Sequence, residues 1–396
     1  MQIHTFGCKV NQVESLKIEE LLAGHDVIVI NTCTITEKAD AKCRNLINRT
    51  VRNNPGKKIL ITGCLVERTY HELKKAYPHL IFLKNENKME VQQFIDEASE
   101  IQQPLETTNL FLQKRNRAFL KIQDGCDHFC SYCIVPYVRS KKWSMPLPEV
   151  QQEIKKFVEQ GFQEVVLTGV RIGFYHWQNK TFEDVIDLAC QNDQLQRIRI
   201  SSIEPTELTP NIIEKIANNK KICPHLHIAL QSGSDQVLKS MGRGYDTKYL
   251  TKLVKILRSK IKNLRITTDL ITAYPTETDQ DFEDTIKLLE DLEIDGIHCF
   301  TFSARKGTKA YNIKQRIPEH IIKQRKETIK NFDLKQRIKS ATKFINQTTT
   351  ILTENNDGYT PNYIKVKLPD NKKTEKNKII KVTPTKIIKK WPIWLE

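Results

Sequence analysis

Phe119-Leu120-Lys121-Ile122-Gln123-Asp124-Gly125-Cys126-Asp127-His128-Phe129-Cys130-Ser131-Tyr132-Cys133 is the stretch that decides the fold. Its first five residues read as a short apolar strand, and Gly125 breaks it. Three cysteines follow at once, spaced C-x3-C-x2-C. Thiols crowded this closely select soft metals, zinc or an iron–sulfur cluster. A closed zinc site wants a fourth ligand, and His128 lies too near in sequence to supply it with good geometry. Three thiolates instead suit a [4Fe–4S] cube with one iron left open. The position just past a strand end is where an α/β protein places its chemistry.

Downstream the same rhythm repeats. Strands are expected at Phe119–Gln123, Glu164–Leu167, Arg197–Ser201, Leu226–Leu230, Arg265–Leu270 and Gly296–Phe302. Helices are expected between them at Pro148–Gln160, Phe182–Cys190, Asn211–Asn218, Lys248–Ser259 and Asp281–Leu292. Six β/α units make an open sheet or an incomplete parallel barrel, and either has its reactive edge at the carboxyl ends of the strands. Polar residues there, Thr168 and Gly169, Ser201 and Ser202, Gln231 and Ser232, and Arg243, are candidate small-molecule contacts, each equally readable as a turn or cap residue.

Upstream, Met1–Phe6, Asp26–Asn31, Lys58–Thr62 and Ile81–Leu83 alternate with helical stretches, which indicates a parallel sheet covered on both faces. Cys8, Cys33 and Cys64 each follow one of its strands, so all three project from one sheet edge. That pattern favours a second three-cysteine cluster over inert core thiols. Cys43, Cys190, Cys223 and Cys299 read as small hydrophobes or neutral surface thiols. Pro104 to Asn109 is the expected linker, giving domains at 1–104, 112–340 and 341–396.

Composition sets the outer bounds. Ten cysteines in 396 residues, no long apolar run and no basic-then-apolar leader point to a cytoplasmic α/β protein with reduced thiols and no membrane span. The 63 Lys+Arg against 47 Asp+Glu give +16, which suits a polyanionic partner, although a Lys-, Ile- and Asn-rich composition competes as an explanation. A Lys/Arg-rich helix, Glu319–Ser340, leads to a tail with short strands at Ile351–Thr353, Tyr363–Leu368 and Ile379–Val382 and a turn at Asn355-Asn356-Asp357-Gly358. The tail carries Tyr359, Tyr363, Trp391 and Trp394, either a nucleic-acid face or a basic capping domain. Arg139 and Lys141-Lys142 read as phosphate contacts or a solvated edge.

The chain resembles the radical S-adenosylmethionine methylthiotransferases, and within them the branch acting on N6-threonylcarbamoyladenosine in tRNA. The resemblance rests on His4-Thr5-Phe6-Gly7-Cys8-Lys9-Val10-Asn11-Gln12, Asn31-Thr32-Cys33-Thr34-Ile35-Thr36-Glu37-Lys38, Thr62-Gly63-Cys64 and Cys126 to Arg139. Leu226 to Ser234, Ser303-Ala304-Arg305-Lys306-Gly307-Thr308 and the tail stretch Asp357 to Tyr363 extend it. It implies an N-terminal parallel βαβ sheet domain, a central (βα)6 incomplete TIM-type barrel and a small C-terminal β-barrel similar to the TRAM RNA-binding domain. It also implies two [4Fe–4S] clusters. One, on the catalytic Cys126, Cys130 and Cys133, would bind and cleave S-adenosylmethionine with an electron from a flavodoxin- or ferredoxin-type donor. The other, on Cys8, Cys33 and Cys64, would furnish sulfur for C2 of the modified adenosine at position 37, in the tRNA anticodon loop. Isopentenyladenosine, a ribosomal-protein aspartate, or a non-catalytic iron–sulfur RNA-binding role are the competing readings. Ser140, Ala273 and Thr276 stand where the family usually has glycine, and Arg171 where it has Asn, so reshaped loops are expected there.

Overall fold

The computed structural model describes residues 1–96, 116–369, 374–388 and 394–396. The expected linker at 104–109 and Trp391 lie outside them, and of Trp394 only the backbone is described. No helix among the described residues is long and apolar enough to cross a membrane. The chain divides into two compact units: residues 1–114, 123–143 and 303–312 form the first, and 115–122, 144–302 and 313–396 the second.

The first unit is built on four strands, Gln2–Thr5, Val27–Thr32, Lys58–Gly63 and Ile81–Leu83, side by side in sequence order and all parallel. Helices Lys9–Leu21, Glu37–Asn53 and Cys64–Ala76 connect them. Strand residues alternate between two apolar layers. Ile28, Ile30, Ile59 and Ile61 pack with Cys43, Ile47 and Leu65, whereas Val27, Val29 and Leu60 pack with Ile18 and Leu22. Both faces are thus covered, which explains why the strands read as unbroken β-branched runs.

In the second unit the strands Ala118–Asp124, Glu164–Gly169 and Arg197–Ile200 are neighbours in one sheet. After a break at Ser201 the chain continues as Ser202–Ile203, which pairs in parallel with His225–Gln231. The strands Arg265–Thr272 and Gly296–Thr301 follow, again in parallel. Five helices alternate with these strands, from Leu147–Glu159 to Asp279–Asp291. The result is the incomplete parallel barrel expected from the sequence. A short helix, Asp235–Met241, was not expected; Ser234 caps it by accepting from Val237 N, and Gly242 ends it with φ +73°.

The basic helix Glu319–Thr342 packs on the last barrel strand, where Asp333 accepts from Ile297 N at 2.6 Å. The tail forms a six-stranded sheet in the order 379–382, 349–353, 357–359, 365–367, 394–395, 387–388. The expected turn at Asn355 to Gly358 is in part strand. Gly358 pairs with Val366, and a Cβ there would lie 2.4 Å from Leu352 O, so only glycine fits.

Candidate active site

In the first unit the chain turns sharply at each strand end. Gly63 has φ +99°, and a Cβ on it would lie 2.4 Å from Thr32 O, so glycine is obligatory immediately before Cys64. Cys8 and Gly63 are the residues flanking their helices, and Cys33 directly follows its strand. Two asparagines tie these ends together. Asn11 Nδ2 donates to Phe6 O at 2.8 Å and Thr32 O at 2.9 Å, and Asn31 Nδ2 donates to Asn11 O at 2.9 Å. Cys64 and Cys8 consequently both lie within electrostatic reach of Cys33, and burial pushes the Cys33 thiol up to about 12. Cys43, expected to be a bystander, faces the same residue: its Sγ accepts from Cys33 N at 3.4 Å and donates to Cys33 O at 3.5 Å.

The Cys126–Cys133 loop belongs to the same unit. It is a compact turn in which Cys130 N donates to His128 O at 2.7 Å and Cys133 N to Cys130 O at 2.9 Å. His128 contributes its backbone N–H, 3.4 Å from Cys126 Sγ. The short helix that leaves the loop carries Ile134 and Val138, which pack directly on Cys64. The two triplets are therefore joined by apolar packing within one unit.

Arg139 joins them again through polar contacts, and here the sequence reading fails. Arg139 is neither a phosphate contact nor a solvated edge: its side chain is 3 % exposed. Its Nη1 donates to Glu14 Oε1 at 2.9 Å and Asp124 Oδ2 at 2.7 Å, and its Nη2 to Asn11 Oδ1 at 2.7 Å and Glu14 Oε2 at 2.9 Å. Its backbone oxygen accepts from Cys126 N at 3.2 Å. Buried Lys88 reaches the other side of Glu14 at 2.6 Å. Burial disfavours the charge on Arg139, but Glu14, Cys64 and Asp124 more than offset it and hold the guanidinium charged. Arg139 and Lys88 both stand within electrostatic reach of Cys64, and burial draws the Lys88 ammonium below its usual range against the pull of Glu14. Lys142, by contrast, makes a surface pair with Asp127 at 2.8 Å.

The last segment of this unit, 303–312, is fastened beside Cys33. Ser303 Oγ accepts from Glu37 N at 3.0 Å. Arg305, 2 % exposed, donates to Thr34 Oγ1 at 3.1 Å and pairs with Asp40.

The remaining candidates sit at strand ends of the second unit, except Arg243, which was expected at one but follows the short helix Asp235–Met241. Thr168 is buried and Ser202 exposed. Ser201 Oγ and Thr272 Oγ1 are buried hydroxyls without a hydrogen-bond partner among the described residues. Gln231 follows a bulge in its strand and has φ +68°, which re-aims its side chain. Ser232 Oγ accepts from Ser234 N at 3.2 Å. Arg243 pairs with Glu204 and donates to Tyr245 Oη at 2.9 Å.

Ala273 has a left-handed backbone, φ +59°, strained for a residue with a Cβ, and its N–H donates to Glu277 Oε2 at 2.7 Å. Arg171 pairs with Glu207 at 2.5 Å and lies over the Phe174 ring. Tyr359 and Tyr363 are not an open stacking platform. Their rings stack on each other at 4.9 Å, Tyr363 stacks on His225 at 5.0 Å, and Arg117 lies over both. Arg197, Arg199 and Arg265, at strand starts, donate to Tyr359 O, Pro361 O and Tyr363 O at 3.0, 2.9 and 3.2 Å. The tail caps the amino end of the barrel strands.

Comparison with known proteins adds a line of support independent of this geometry. Residues 120–289 match the family described as "Radical SAM superfamily", and residues 1–83 match "Uncharacterized protein family UPF0004". The threonylcarbamoyladenosine tRNA methylthiotransferase MtaB of Chlamydia pneumoniae is 34 % identical over 380 residues, 92 % of this chain and 90 % of that one. The protein of the same name from Bacillus subtilis (strain 168) is 31 % identical, over 98 % and 93 %. A tRNA-2-methylthio-N(6)-dimethylallyladenosine synthase of Clostridium botulinum (strain Loch Maree / Type A3) is 31 % identical, over 81 % and 78 %. Among solved structures, the radical S-adenosylmethionine methyltransferase TsrM from Kitasatospora setae, with cobalamin and a [4Fe–4S] cluster bound, shares the fold at TM-score 0.56 and 12 % identity, covering 73 % of this chain and 67 % of that one.

Proposed function

Because the chain belongs to the family of radical S-adenosylmethionine tRNA methylthiotransferases, we propose that it methylthiolates C2 of N6-threonylcarbamoyladenosine at position 37 of tRNA. Cys126, Cys130 and Cys133 would hold one [4Fe–4S] cluster and Cys8, Cys33 and Cys64 another. The observation that best supports this is the packing of Cys64 against Ile134 and Val138, which makes both triplets parts of one folded unit. When bound, the clusters and S-adenosylmethionine supply the one-electron chemistry that breaks an aromatic C–H bond, together with the sulfur and methyl group.

This chain's own residues do the positioning. The Arg139 guanidinium, held charged by Glu14 and Asp124, would stand beside the Cys64 sulfur, with Lys88 on the same Glu14 carboxylate. Thr168, Gly169, Ser201, Ser202, Gln231, Ser232 and Arg243 are the proposed S-adenosylmethionine contacts, with the open hydroxyl of Ser201 the best supported. Functionally the chain divides at 1–104, 112–340 and 341–396, the last similar to a TRAM domain. Exposed lysines of the tail, such as Lys376 and Lys381, would neutralise tRNA phosphates, so affinity falls steeply with salt. A flavodoxin- or ferredoxin-type protein is the proposed electron donor.

Nucleoside mass spectrometry of tRNA from a host lacking such an enzyme, with and without this gene, tests the reading. The 2-methylthio derivative of threonylcarbamoyladenosine should appear with the native chain and not with Cys133→Ala. A methylthio group on isopentenyladenosine alone would reassign the substrate. Cluster-loaded, soluble protein that yields no methylthio nucleoside overturns the proposal.

A further inference from the structure

His227, Asp269 and His298 belong to three adjacent parallel strands of the second unit and share one face of the sheet. His227 lies opposite Thr267, two residues before Asp269, and Asp269 lies opposite His298. Their ligand atoms all fall within 4.8 Å of one another. His227 Nε2 is 3.1 Å from Asp269 Oδ1, and His298 Nδ1 is 3.6 Å from the same oxygen. We infer that these three side chains form a mononuclear binding site for a divalent transition-metal cation.

The two His–Asp spacings, 3.1 and 3.6 Å, are close to those of metal ligands. Metal–ligand bonds of about 2.1 Å place neighbouring ligand atoms about 3.0 Å apart in an octahedron and about 3.4 Å apart in a tetrahedron. A single His–Asp contact would be an ordinary hydrogen bond. The convergence of a second imidazole on the same carboxylate oxygen marks a metal site instead. Two imidazoles with one carboxylate suit Zn2+, Fe2+, Co2+ or Mn2+ rather than the all-oxygen cations.

The outer contacts also fit. His227 Nδ1 is 2.9 Å from Thr267 Oγ1, which in turn is 3.0 Å from His225 Nε2, and the His225 ring stacks on Tyr363. Thr267 Oγ1 can accept from Nδ1, which would leave Nε2 bare to bind a cation beside Asp269. His298 is 57 % exposed, so the site is open to solvent and to incoming ligands. The group contains no cysteine.

Mn2+, which has little affinity for thiolates, is the probe. The full-length protein, isolated anaerobically, is titrated with Mn2+ while free ion is followed by electron paramagnetic resonance. One Mn2+ should bind per chain, show nitrogen hyperfine coupling from two imidazoles, and be displaced by Zn2+. His298→Ala should weaken binding at least tenfold and remove one nitrogen coupling. Being exposed, that substitution should leave the circular dichroism and cluster absorption unchanged, so it decides the matter even where Asp269→Asn disturbs folding. Absence of stoichiometric binding, or equal binding by native and His298→Ala protein, overturns the inference.

Discussion

Replacing Arg139 with methionine keeps most of the side-chain volume and removes the charge. The native cluster balances two cations, Arg139 and Lys88, against two carboxylates, Glu14 and Asp124. After substitution Lys88 still neutralises Glu14, 4 % exposed, whereas Asp124, 17 % exposed, can take up water in compensation. Breaking a buried pair from one side costs about 3–5 kcal/mol. Hydrogen exchange by mass spectrometry on peptides covering Val27–Thr32 and Lys58–Gly63 reads this directly. At 1.4 kcal/mol per tenfold, exchange through opening of the unit should rise by roughly 100- to 1,000-fold or more. Arg139→Lys should fall between the two, because it keeps the charge and loses the bidentate geometry. Adding Asp124→Asn to Arg139→Met should recover part of the loss. Exchange within threefold of native in Arg139→Met would refute the idea that this network holds the two triplets together.

Other substitutions test further parts of the structure. Ala273→Gly relieves a left-handed alanine and should stabilise by about 0.5–1 kcal/mol after the entropy cost of glycine, seen as a Tm increase of about 1–2 °C. Burial pushes Glu164 up, but its pairs with Arg199 and neighbouring arginines outweigh this and hold the carboxyl below the usual range. Its stabilising effect is present above the unfolded-state value and is lost as pH falls through the folded one, so Glu164→Gln should lower Tm at neutral pH and flatten its acid decline. Cys43→Ala should retain nearly all of the iron, whereas Cys33→Ala should lose about half; iron analysis after anaerobic loading separates them. Tyr363→Ala should cost about 2–4 kcal/mol in urea unfolding with little change in tRNA affinity.

The six barrel strands, and the placing of Cys8, Cys33, Cys64 and Cys126 close after strand ends, were legible because period, turn residues and cysteine position are local signals. Arg139 was misread because its partner Glu14 is 125 residues away and polar spacing carries no record of burial. Tyr359 and Tyr363 misled for the opposite reason: aromatics near lysines resemble a nucleic-acid face, yet the arginines that occupy them come from barrel strand starts. The His227–Asp269–His298 group depends on the register of three strands, which no short window reports. One local signal was available and unread. A glycine precedes Cys8, Cys64 and Cys126 alike, each with positive φ.

The unit that carries both cysteine triplets is assembled from three separate stretches, the last of them 303–312, anchored by Arg305 on Asp40. Ribosomal synthesis at about 5–20 residues per second puts roughly 12–50 s between the emergence of Cys64 and that of Asn312. Throughout this interval Asp40 lacks its buried guanidinium from Arg305, and the thiols ahead of it belong to an unfinished domain. If these cysteines hold the proposed cluster, iron delivery during synthesis would compete with oxidative damage for thiols that the nascent chain cannot yet enclose.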